Sequence, residues 1–122
     1  MDKPQFTYDE PSDTLTVAFE PGAQATGIEL NEHIVLRIDK EHRKAIGLTF
    51  LDYSLLAQSA DFGPRSFPIT GLGNLSEDLR ALVLDILQKS PVSDILSLST
   101  YTPSYTEAIP ITSFHHLPIR TV

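Results

Sequence analysis

Two carboxylates, Asp13 and Asp52, are the residues with most chemical promise. Each flanks a run that reads as a strand. Paired carboxyl groups work as acid and base when a fold holds them roughly 5–10 Å apart. The same positions serve structure equally well: Asp13 can cap a turn, and Asp52 can bond backbone amides where a strand ends. The strand-edge positions favour the structural role. His33 and His42 lie at opposite ends of one predicted strand, and His115-His116 is an adjacent pair. Neighbours in a strand point to opposite faces, so that pair is poorly placed to share a metal. Surface histidines are the expectation. Ser54, Ser76 and the Ser97/Ser99 pair lack the glycines of a nucleophile elbow. Gly71-Leu72-Gly73-Asn74 precedes a helix as a phosphate loop does, but without the lysine, the third glycine or a preceding buried strand. No residue is therefore assigned a catalytic, cofactor-binding or metal-ligating role.

Composition narrows the classes further. There is no cysteine, which excludes disulfides, thiolate catalysis and thiolate metal sites. The formal net charge is -7. Nonspecific nucleic-acid binding and attachment to anionic membranes both need exposed Lys and Arg, so neither is expected. Residues 1–62 hold eleven acids and five bases, a net of -6; residues 63–122 hold five acids and four bases, a net of -1. The front half would attract a basic protein. No apolar run approaches the roughly 18–20 residues of a membrane helix, and the N-terminus has no signal-like apolar stretch. The expected location is the cytoplasm.

The elements that would carry these side chains follow from periodicity. Phe6–Tyr8 and Thr14–Phe19 alternate around the turn Asp9–Asp13. Ala25–Leu30, His33–Asp39 and Ala45–Leu51 give three more strands, with Asn31-Glu32 at a hairpin tip and a charged loop at Lys40–Lys44. Ile46, Leu48 and Phe50 are assigned to the inner face. Gly47 is assigned to the other face, where a missing side chain permits close approach. Short connections imply an antiparallel meander. Ser54–Gln58 can form one helical turn, and residues 55–75 read as a Gly/Pro-punctuated connector.

Ser76–Lys89 is the clear helix: Ser76 caps it, Glu77 and Asp78 suit its positive end, and Pro91 stops it. Leu79, Leu82, Val83, Ile86 and Leu87 form its apolar stripe. Leu84 lies about 140° from Leu79, which widens the arc to roughly 200°, more than one sheet covers. A second element or a second subunit must cover Leu84, which makes it the candidate interface residue. Asp94–Tyr101 and Ala108–Phe114 are the last strands; Pro110 predicts that the latter is an edge. An extended tail, His115–Val122, completes the chain.

The stretch Tyr8-Asp9-Glu10-Pro11-Ser12-Asp13-Thr14-Leu15-Thr16-Val17 resembles the opening of the domain of unknown function 2283 family. Ile46-Gly47-Leu48-Thr49-Phe50-Leu51-Asp52-Tyr53-Ser54 is similar to its closing strand. Asp13, Leu15, Gly47, Leu51, Asp52 and Ser54 sit at matching positions. Thr14, Thr49 and Tyr53 depart from the family's alanine, glutamate and alanine, and the Lys40–Lys44 loop is longer than the family's turn. The second half resembles an extension of cyanobacterial members. The resemblance implies a small, sheet-rich bacterial protein without assigned chemistry. Some members are encoded beside small toxin-like proteins, which implies a protein partner.

The sequence thus predicts one α+β domain over residues 1–122: an antiparallel meander of about five strands (6–54), a connector, then one packed helix and one or two added C-terminal strands (76–122). The function expected is a protein-interaction or oligomerisation module without catalysis, acting as a homodimer or with a small basic protein. The alternative is a small-molecule-binding protein or weak hydrolase with a pocket between helix and sheet.

Overall fold

Alternating apolar residues build the first sheet. In the computed structural model, which describes residues 4–56, 59–60, 63–64, 66–104 and 107–114, these runs become β1 (Gln5–Asp9), β2 (Thr14–Ala18), β3 (Thr26–Glu29), β4 (Ile34–Asp39) and β5 (Lys44–Phe50). All neighbours are antiparallel, as expected, in the order β1-β2-β5-β4-β3. The hairpin run of a simple meander is therefore broken once. The link 19–25 carries the chain from β2 to the far edge, and β3, β4 and β5 then fold back to pair β5 with β2. That crossing spans three strand spacings, about 14 Å, which a seven-residue link reaches easily.

Two of the hairpins use the same turn chemistry. The Asp9 carboxylate accepts the Ser12 amide at 3.2 Å, and the Asp39 carboxylate accepts the His42 amide at 3.1 Å. The next residue in each turn adopts a left-handed conformation: Asp13 at φ 53° and Arg43 at φ 54°. The β3–β4 turn is held by Asn31, whose side-chain oxygen accepts the amides of His33 and Ile34 at 2.8 and 2.9 Å.

The inner face of the sheet carries Leu15, Val17, Ile28, Ile34, Leu36, Ile38, Leu48 and Phe50, all buried in one core cluster. Ile46 departs from the expected alternation. Arg37 pairs with Gly47 and Ile38 with Ala45, so Ile46 is the extra residue of a β-bulge. Ala45 takes the core position; Ile46 is buried but lies outside that cluster. Gly47 has the packing role its type implies: a Cβ there would stand 2.5 Å from the Val17 carbonyl oxygen of β2.

After β5 a single turn, α1 (Tyr53–Leu56), buries Tyr53 and Leu56. The connector carries more order than its glycines and prolines imply. It contains the short pair β6 (Ser59–Ala60) and β7 (Gly63–Pro64), the strand β8 (Ser66–Pro68) and a 3-10 turn at Thr70–Asn74. Next comes α2 (Glu77–Leu87), capped by Ser76, whose hydroxyl accepts the Leu79 amide at 3.2 Å. It ends two residues before Lys89, which instead pairs with Asp85 at 2.9 Å. Leu82, Val83, Ile86 and Leu87 enter the core. Leu84 is half-buried and also packs against that core, so the chain itself supplies part of the cover that the sequence left to a second element or a second subunit.

A 3-10 turn at Val92–Asp94 leads to β9 (Leu96–Ser104) and β10 (Glu107–Phe114). β9 runs past the expected strand end at Tyr101 as far as Ser104. The second sheet has the order β8-β10-β9, so the strand bearing Pro110 is central rather than an edge. The register explains how: β8 ends with Pro68 opposite Ile111, so Pro110 lies beyond the last β8 pair and meets only Thr100 of β9. The expected tail, with His115 and His116, lies outside the described residues.

Candidate functional site

Three segments meet at one end of the first sheet. The register Leu15↔Phe50↔Ile34 brings the β1–β2 turn, the β3–β4 turn and the β5–α1 junction to the same level. The left-handed backbone at Asp13 turns its carboxylate toward α1. There Asp13 Oδ1 and Oδ2 accept the Ser54 amide at 3.1 and 3.2 Å, and Oδ1 accepts the Ser54 hydroxyl at 2.8 Å. The Tyr8 hydroxyl donates to the same Oδ1 at 2.6 Å. The Asp13 carbonyl also accepts the Tyr53 amide at 2.9 Å. The Tyr8 and Tyr53 rings stand edge to face, 6.0 Å apart.

This arrangement sets the titration of both groups. The Tyr8 and Ser54 hydrogen bonds hold the Asp13 carboxyl below the usual carboxylate range. The Asp13 acceptor pushes the Tyr8 phenol above its ordinary value, because its bond needs the phenolic proton. A general base must be able to take up a proton near working pH. Asp13 is stabilised in the opposite sense and serves as a latch between the first hairpin and α1.

Asp52 has a different environment. It occupies left-handed backbone at φ 54°, and its carbonyl accepts the Leu55 and Leu56 amides at 3.0 and 3.2 Å. Its carboxylate does not take the strand-end amides that sequence reasoning gave it. It stands instead 3.1 Å from His33 Nδ1, an ion-pair approach without hydrogen-bond alignment at that sealed nitrogen. His42 pairs with Asp39 at 2.7 Å, inside its own hairpin. The two carboxylates flagged from sequence are therefore taken up by separate partners.

Gly71-Leu72-Gly73-Asn74 makes no phosphate cradle. The Gly71 amide is already given to the Leu30 carbonyl at 2.8 Å. A Cβ on Gly71 would fall 1.8 Å from the Glu29 carbonyl oxygen, so this glycine exists to seat the 3-10 turn on β3. Arg80 fastens the other end, donating to the Leu72 and Leu75 carbonyls at 3.0 and 3.1 Å. Among the described residues, no three His, Asp or Glu side chains gather as a metal site.

Side chains of α2 and of the inner face of the first sheet belong to one buried core cluster. An open groove of about 450 Å³ lies elsewhere, lined by Gln24, Thr26, Ile38, Asp39 and Glu41 among others. The surface feature that sequence reasoning missed is apolar: Leu51 and Leu55 are 39% and 45% exposed. The sequence pattern makes Leu51 the last residue of a strand. The available signal was the break in alternation at Phe50-Leu51, two adjacent apolar residues that cannot share one face.

A twisted antiparallel sheet, latched at one end by an aspartate and backed by a helix, defines a small α+β protein. Residues 5–54 match the model of the family described as Protein of unknown function (DUF2283), and that segment of the chain is similar to this family. Comparison with curated proteins and with solved structures returned no match. Among the described residues, no helix is long and apolar enough to cross a membrane.

Proposed function

We propose that this protein is a cytoplasmic protein-interaction module whose acidic sheet end receives a basic segment of a partner protein. The observation that carries the reading is the exposure of Leu51 and Leu55 at that end. The segments meeting there, 10–13, 31–33 and 51–55, contain Glu10, Asp13, Glu32 and Asp52 and no Lys or Arg. The opposite end of the sheet holds Lys40, Arg43 and Lys44 together with Asp39, Glu41 and Glu20, the last paired with Lys44 at 2.8 Å. An acidic end thus stands against a balanced one. An apolar pair rimmed by acids suits a partner with an apolar anchor flanked by Lys or Arg. Complementary charge speeds encounter, and the leucines supply contact area.

The test is affinity capture from the native cell with the wild type and a Leu51→Ser/Leu55→Ser variant. An identified basic protein that the wild type retains, the variant loses and high salt releases supports the reading. Equal capture by the variant, or capture of acidic proteins alone, overturns it. Homodimerisation is a second proposal. With Leu84 half-buried on the chain's own core, it falls to another surface, the outer edge of β1.

A further inference from the structure

The first sheet has two edges, and the chain treats them differently. The outer side of β3 is closed at its C-terminal end. Gly71 donates to Leu30 and lies against the Glu29 carbonyl, and the Asn31 side-chain NH2 donates to the Pro68 carbonyl at 3.1 Å. No described segment pairs with the outer side of β1. β1 carries few of the usual defences of a free edge: it is short, and its one charged residue, Asp9, is its last. Within Gln5–Asp9 there is no lysine and no proline, and its pairing with β2 runs without a bulge.

We propose that two copies of this chain pair antiparallel through β1, about a two-fold axis at Thr7. The strand is self-complementary about that residue. With Thr7 opposite Thr7 of the second copy, Phe6 meets Tyr8 and Gln5 meets Asp9. Phe6 and Tyr8 are half-buried on the core side, so the axis creates two cross-strand aromatic pairs that extend the apolar strip. Gln5, Thr7 and Asp9 are exposed on the other face. There a carboxylate faces an amide, never another carboxylate.

Other registers are worse. A slip of one residue sets core-facing against solvent-facing side chains. A slip of two shortens the ladder from five pairs to three within Gln5–Asp9. The favoured register joins two five-stranded sheets into one of ten, within the usual size of open sheets. Each copy carries a net charge of -7, so salt should strengthen this contact, whereas it should weaken the binding of a basic partner.

Single-cysteine variants test the register, because the chain has no cysteine of its own. Thr7→Cys places two thiols across the axis within disulfide reach. Gln5→Cys places them four residues apart, about 14 Å, and out of reach. Light scattering on the wild type should give twice 13.5 kDa. Mild oxidation should convert Thr7→Cys to a covalent dimer at least tenfold faster than Gln5→Cys. Thr7→Arg, which sets like charges on the axis at an exposed position, should give a folded monomer. A wild type that stays monomeric at high concentration overturns the proposal. So do equal cross-linking of the two cysteine variants and a dimer that persists in Thr7→Arg but is lost in Leu84→Glu.

Discussion

Tyr8 donates its hydroxyl hydrogen bond to Asp13 across 2.6 Å, joining the end of β1 to the end of the turn that follows it. Ser54 binds the same carboxylate from 41 residues further along the chain. The stretch matched by the family model opens at the first residue of β1 and closes at Ser54. The motif residues Asp13 and Ser54 thus form a latch, a structural role of the kind that the strand-edge position of Asp13 implies.

The latch makes stability depend on pH at both ends of the scale. Asp13 has a lowered pKa in the fold, so its contribution is present above the unfolded value of about 4 and is lost as pH falls through the folded value. Tyr8 has a raised pKa, so its contribution is complete below about 10 and is lost as pH rises through the folded value. Melting temperatures of wild type and Asp13→Asn should therefore converge as pH drops below about 4 and stand furthest apart near neutrality. Parallel curves across the acid range would contradict the latch.

The glycines give a graded prediction. Gly71→Ala meets the Glu29 carbonyl at 1.8 Å, and Gly47→Ala meets the Val17 carbonyl at 2.5 Å. Both neighbours are backbone, which does not move aside cheaply. Gly71→Ala should cost the most. Gly47→Ala should cost about 1–3 kcal/mol, the usual range for overpacking. Gly73 has nothing within 4 Å of its Cβ site, and Gly73→Ala should be neutral or stabilise by up to about 1 kcal/mol. Chemical denaturation of the three variants should reproduce this order.

Much of this fold is written in local chemistry. Period-two alternation marks β1, β2, β4 and β5, and Ser76 with Glu77 and Asp78 marks the start of α2. The β2–β3 crossing, the bulge at Ile46 and the central place of β10 are not local. They arise from pairings between residues far apart in sequence, such as Ala18 with Gly47 and Ile111 with Pro68. A Pro110 that ends a ladder on one side looks in sequence like a Pro that bars a strand from the centre. Asp13 was legible as a turn residue, but the Ser54 partner appears only when the sheet brings both to one end.

Asp52 tests the backbone rather than the carboxylate. At φ 54° an asparagine or glycine is tolerated, whereas a β-branched residue is strained. Asp52→Asn should hold stability close to wild type, and Asp52→Val should lose about 1–3 kcal/mol. His33→Ala, which removes a half-buried ring beside the carboxylate, should change stability by about 0–1 kcal/mol. A larger loss from His33→Ala than from Asp52→Val would reverse the assignment.

Leu84 separates the intramolecular from the intermolecular reading of α2. Its side chain is half-buried against the core that Leu82, Val83, Ile86 and Leu87 enter from the same helix. Leu84→Glu removes that apolar contact and brings a carboxylate to the core margin, where a charge retains only part of its water. The cost should be about 1–2 kcal/mol in unfolding free energy, below that of truncating a fully buried leucine such as Leu36. If α2 covers itself in this way, the loss appears in the melting curve of the chain whatever its concentration, and the oligomeric mass stays that of the wild type. A Leu84→Glu variant that melts like wild type but halves in mass would return α2 to the subunit interface.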